Sequence, residues 1–450
     1  MSWKKDIRNV IPVDALGVVF RIDLRWYGWK AKSWEQILSQ YPYGLRYVED
    51  DTARRISEAT GCRAPYVRAD WFAYAASRPP LYNVLLNLPE TDRALERLLG
   101  VNVDQPSVTR PGTKVDVVRA GFNGSIVAWN NRLIERRSTP YDGAYWKSYD
   151  FSGSAGRRDL FDYPLNPEPD NGGFQHDGEE MVFSLPNGLN GYMIANAKGE
   201  RLDEAPITIV RDTIRYGAVV NAISCFNCHQ VGVMLDNPVP DQTNKKIVYK
   251  FDLNNQVRRN VEENPKAFST AEREQILALY PPSDEVNDKL TEDAHRFIKA
   301  AKATGTDLED PDSSIEEKKP IISLSNLYES ELKLPQAAAE LGLTLDQFVS
   351  KLDEDTEIVR ILGPLKLDGG TVVVNGTSIS FGEKTVKRDV FEDLFPKIIH
   401  QWGYGTFPIQ KVEPLSHDEL SSAQTFWIWF AVTAGALVLI VGFVFWNRRG

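Results

Sequence analysis

Residues 224–229 read Ser224-Cys225-Phe226-Asn227-Cys228-His229. Two cysteines three positions apart, with a histidine next, form the CxxCH pattern of covalent haem attachment. On one helical turn both thiols can add to the two vinyl groups of a haem, and the following imidazole is held under the iron. The spacing predicts one covalent haem c, with Cys225 and Cys228 as thioether anchors and His229 as the proximal ligand. Ser224 is the expected N-cap of the helix that presents them. Two other chemistries use part of the pattern. A redox dithiol wants a thioredoxin-like strand before a helix and gains nothing from the histidine. A zinc site needs four ligands, and beyond this pair the chain has one more cysteine, Cys62.

The sixth ligand of such an iron is less sharply marked. Met234 follows His229 by five residues and can reach the opposite haem face only after a sharp reversal. His176 lies in the turn-rich segment Phe174-Gln-His-Asp-Gly178, where a side chain can be aimed inward, and is the leading candidate. Met193 and Met181 stand at strand positions, where packing is the commoner fate, and His295 stands at the edge of a helix. A vacant position is the remaining alternative. His400 and His417 read as ordinary residues.

Around the motif the chain divides by composition. With 450 residues, 42% of them hydrophobic and eleven tryptophans, there is ample apolar surface for more than one core. The expected fold is α+β and multidomain. It comprises a mixed α/β N-terminal domain over 1–165, a monohaem cytochrome c domain over 166–305, a linker over 306–320 and a small α+β domain over 321–404. A stalk over 405–424 and a transmembrane helix over 425–447 complete it. In the first region Val18–Trp26 alternates like a half-buried strand, and Asp92–Leu99 reads as a helix ended by Gly100. In the second, strands flank Pro186-Asn187-Gly188, and helices are expected over Thr270–Leu279, capped by Ser269 with Glu272, and over Asp284–Ala303. In the fourth, Thr344 caps a helix beyond Gly342, and Thr371–Val374 and Thr377–Phe381 flank Asn375-Gly376 as a hairpin.

The ends speak to compartment. Phe426–Trp446 reads FWIWFAVTAGALVLIVGFVFW without a charge, about 31 Å as a helix at ~1.5 Å per residue, which matches one bilayer core. Arg448 and Arg449 follow it, whereas Glu413, Asp418 and Glu419 precede it, so the positive-inside rule predicts a cytoplasmic C-terminus and an N-terminal bulk in the periplasm. The first twenty residues hold no apolar core of a secretory signal, and the expectation is that this sequence starts late. A net charge of -10 without a long basic run speaks against nucleic acid as a partner.

Several stretches resemble those of uncharacterised large bacterial proteins known for a single c-type cytochrome domain. They are Phe20-Arg-Ile-Asp-Leu24, Tyr41-Pro-Tyr-Gly44, Pro65-Tyr-Val-Arg-Ala-Asp-Trp-Phe72, Arg78-Pro-Pro-Leu-Tyr82, Asn131-Arg-Leu-Ile-Glu-Arg136, Ser184-Leu-Pro-Asn-Gly-Leu189 and the motif itself. The similarity runs through most of residues 15–400. It implies covalent haem on Cys225, Cys228 and His229 and an export signal ahead of the first strand, and it implies no particular reaction. The expectation is a membrane-anchored electron-transfer protein of the bacterial inner membrane, with redox partners among the subunits of a membrane complex. A haem enzyme or gas-binding protein with an open iron face, or an assembly subunit with structural haem, is the alternative.

Overall fold

The computed structural model describes residues 10–12, 20–43, 67–101, 103, 117–125, 127–165, 173–212, 217–233, 239–241, 246–248, 251–363, 371–374, 377–380 and 385–403. They fall into two compact units. The first takes Met1–Trp34, Val67–Leu332 and Thr385–Arg388, and the second Glu35–Tyr66, Lys333–Lys384 and Asp389–Gly450.

In the second segment of the first unit, helices α1 (Ala69–Ala76), α2 (Leu81–Leu85) and α3 (Asp92–Leu99) come first. Thr91 caps α3 by accepting from the Ala94 N–H, and Gly100, at φ 70°, ends it in the left-handed conformation that glycine adopts without penalty. A six-stranded sheet follows: β1 (Val117–Asn123), β2 (Asn131–Ser138), β3 (Ala144–Asp150), β4 (Gly178–Ser184), β5 (Asn190–Asn196) and β6 (Arg201–Leu202). Its spatial order is the chain order and every pairing is antiparallel. Beyond it lie the short ladder of β7 (Glu204–Ala205) with β8 (Val219–Val220) and helices α4 (Ile223–Cys228), α5 (Gln256–Glu263), α6 (Thr270–Leu279), α7 (Ser283–Ala303) and α8 (Pro320–Glu329).

This corrects the expected fold class. No separate mixed α/β domain ends at residue 165, because one antiparallel meander draws β1–β3 from before that point and β4–β6 from after it, with Tyr145 opposite Phe183 and Asp150 opposite Gly178. The reason is burial. Every residue of β3 is buried, so Ala-Tyr-Trp-Lys-Ser-Tyr-Asp shows no alternation from which its place in a sheet can be read. The connection from β3 to β4 looks like a boundary in sequence, yet its described part is tied back by Asp177, which accepts from Arg158 and from the Ser152 N–H and hydroxyl. The expected first strand is also shorter. It covers Phe20–Ile22, after which Asp23 caps a 3-10 turn over Leu24–Tyr27. Among the described residues no helix is long and apolar enough to cross a membrane. The transmembrane helix of the expected architecture has no counterpart among them, and residues 405–447 lie outside them, as do Cys62, Met234 and His417.

The two faces of the sheet carry different cores. On one, Met181 and Met193 stand opposite each other in register and pack with Tyr145, Phe183 and Leu95. On the other, Trp146, Val182 and Tyr192 pack with Val286 and Leu290 of α7. In the second unit, α9 (Leu334–Glu340), α10 (Leu345–Glu354), α11 (Ile358–Leu362) and α12 (Arg388–Gln401) bury Phe348, Phe391 and Phe395, and Tyr43 meets the Phe395 ring edge-on at 4.7 Å.

Candidate functional site

Helix α4 is one and a half turns long, closed by hydrogen bonds from the Phe226 N–H to the Ala222 carbonyl and from the His229 N–H to the Cys225 carbonyl, each 2.7 Å. Its start is unusual. Ala222 holds φ 70°, a conformation that costs a non-glycine residue about 1–3 kcal/mol and persists only where the surroundings enforce it. Ser224 is not the N-cap expected of it. It lies inside the helix, where its hydroxyl donates to Asp212 Oδ2 at 2.6 Å and accepts from the Val220 N–H at 3.1 Å. The serine therefore ties the motif helix to the segment leading into β8 and to β8 itself.

Cys225, Cys228 and His229 line one cavity of about 380 Å³, within the size range of small-molecule and cofactor sites. Its walls are mostly apolar: Phe122 from β1, Ile134 from β2, Trp146 from β3, Val182 from β4, and Val233 and Leu253 from loops. Burial pushes both thiols up, with Glu180 adding to the effect, and Cys228 reaches about 11. Such thiols stay protonated, the opposite of the lowered values a redox dithiol uses. Burial also holds the His229 imidazole below its usual range and so neutral. Its ring stacks against Tyr192, with centroids 5.7 Å apart and planes 28° apart. Its Nδ1 is buried with no hydrogen-bond partner among the described residues. A neutral imidazole with an orphaned nitrogen, beside two protonated thiols and an apolar cavity, fits a covalently held haem. Among the described residues no three His, Cys, Asp or Glu side chains are placed to hold a bare metal ion.

The other candidate ligands are elsewhere. His176 is buried but does not line the cavity; its Nε2 lies 2.9 Å from Glu179 Oε1, and its ring meets Tyr149 edge-on. Met181 and Met193 belong to the core on the opposite face of the sheet, and His295 is exposed on α7. The structure brings to the cavity instead a polar group that sequence reading missed: Arg132 from β2, Ser148 and Asp150 from β3 and Glu180 from β4. Of these, Arg132, Ser148 and Glu180 line the cavity directly. Comparison with protein-family models, with curated proteins and with solved structures finds no match.

Proposed function

We propose that the chain is a monohaem c-type cytochrome that passes single electrons between protein partners, such as the subunits of a membrane redox complex, on the outer side of the bacterial inner membrane. One observation carries this reading: the CxxCH helix presents two thiols and a buried imidazole with an unpartnered nitrogen to one largely apolar cavity. Cys225 and Cys228 hold the group by thioether bonds and His229 ligates its iron. When bound, haem supplies a reversible one-electron couple, and the chain supplies position, burial and axial ligation. Burial keeps the His229 lone pair free of protons at neutral pH, and the stacked Tyr192 fixes the plane of the ring. Trp146 and the aliphatic side chains give the group a largely apolar wall.

A second reading is favoured by the placement of His176, Met181, Met193 and His295 away from the cavity. A haem ligated by His229 alone has an open second face, and the protein then binds a small ligand there. The reduced optical spectrum separates the two, being low-spin with two axial ligands and high-spin with one.

The shared claim is tested by exporting the full chain, behind a secretion leader, in a host with cytochrome c maturation. Haem peroxidase stain should run at the chain's own mass on a denaturing gel, and Cys228→Ala should lose most of it. Absence of stain in properly exported protein would falsify the proposal.

A further inference from the structure

The polar end of the cavity wall is unbalanced in charge. Arg132 is buried, with its Nε 2.9 Å from Asp150 Oδ1, and its Nη2 pairs with Glu180 and lies 3.4 Å from Asp150 Oδ2. The Ser148 hydroxyl donates to Asp150 Oδ2 at 2.8 Å and accepts from the main-chain N–H of Glu180 at 3.2 Å, so it ties the Asp150 carboxyl group to the Glu180 backbone, while the two carboxyl groups share the one Arg132 guanidinium. Among the described residues Arg132 is the one cation ion-paired with either acid. Among the described residues the remaining neighbours add no second cation to the pair. Ser125 is neutral, and Asp212, which also faces the cavity, accepts from the Ser224 hydroxyl. Lys147 lies on β3 between Trp146 and Ser148, and its ammonium pairs with Asp92 and Glu179. His176, whose charge would favour ionised Asp150, is bound to Glu179. Two carboxylates against one buried cation are like charges at close range in a poorly solvated place, and one of them is expected to keep a proton.

We propose that Arg132, Asp150 and Glu180 form a proton-exchange site in the cavity wall, where the two carboxyl groups hold one proton between them and Glu180, the acid that reaches the cavity, relays it. The sharing stands on the geometry of the three side chains alone. Its use rests on the cytochrome reading: when a partner protein delivers an electron to the cavity, the acid pair, ionised beforehand, takes its one proton from solvent. One negative charge and one positive charge then enter together. Burial pushes Asp150 up to about 6, with Glu180 reinforcing the shift against Arg132, which puts the exchange within reach of ordinary pH.

The test uses the full exported chain with Asp150→Asn and Glu180→Gln. Either amide leaves one carboxylate to balance Arg132, so both variants should lose the same infrared carbonyl band of a protonated carboxyl group, a band that fades in the unmodified protein as pH rises through about 6. Arg132→Gln should keep a band and shift its fading to higher pH. A band that survives in both amide variants, or is lost in only one, overturns the shared proton. With haem attached, the midpoint potential should fall as pH rises and be flat in both variants. A pH-independent potential beside an intact band overturns the coupling alone. Lack of attached haem leaves the infrared result standing and counts against the cytochrome reading instead.

Discussion

His176 shows how a single residue can satisfy a sequence argument and be used for something else. It is buried and aimed inward, as its turn-rich setting suggests, but its partner is Glu179, whose second oxygen lies 2.9 Å from Lys147 Nζ. Removing the imidazole should therefore leave haem coordination unchanged, with no switch from low to high spin in the reduced spectrum of His176→Ala. Its cost should appear in stability, about 1–3 kcal/mol by urea unfolding, because a buried carboxylate loses a hydrogen-bond partner. A spin-state change would restore His176 as the distal ligand. At this scale the CxxCH residues were legible because the pattern is a local spacing, and Cys225, Cys228 and His229 do meet at one cavity. Arg132 and Glu180 were not legible, since 48 residues separate them and only the antiparallel register across β2, β3 and β4 brings them together.

Helix α7 carries the same lesson at the scale of elements. Its stripe of Val286, Leu290, Ala294, Phe297 and Ala301 is readable from helical spacing; Phe297 is half-buried and the other four are buried. The capping boxes at Ser269 with Glu272 and at Thr344 with Gln347 form as their sequences dictate, because every contact they need lies within four residues. What docks α7 on the sheet is not readable in this way. Buried Asp293 accepts from Arg136 Nε at 2.8 Å and Nη2 at 3.0 Å and from the Trp146 indole N–H at 2.8 Å, so it positions a cavity wall as well as a helix. Asp293→Ala leaves the Arg136 guanidinium buried without its carboxylate, and the expected loss is about 3–5 kcal/mol. Urea unfolding of the variant measures it; a loss below about 1 kcal/mol, the range of exposed pairs, would show that the contact is not made. The reading of 306–320 as a plain linker likewise missed a short helix, Ile315–Lys318, closed by a Ser314–Glu317 capping box.

For the whole molecule, the meander across residue 165 places buried charge between strands, and that charge sets the response to acid. Glu135 on β2 is buried, which works to raise its pKa, but Arg119 and Arg137 on either side overcome this and hold it at about 2. A carboxyl group lowered in the folded state adds stability above its unfolded value, and that stability is lost as pH falls toward the folded value. The contribution is on the order of 3 kcal/mol, and it should disappear between about pH 5 and about pH 2. The urea midpoint of Glu135→Gln should be lower at neutral pH and fall less steeply on acidification; a slope equal to that of the unmodified protein would contradict the assignment. Long-range architecture was the part least visible in sequence, because strands buried on both faces carry no alternation. The most direct test of the central claim is the intact mass of the exported chain after denaturation, reduction and thiol alkylation. The cytochrome reading predicts the chain plus one haem, with Cys62 alone alkylated. A chain without added haem, with Cys225 and Cys228 both alkylated, would contradict it.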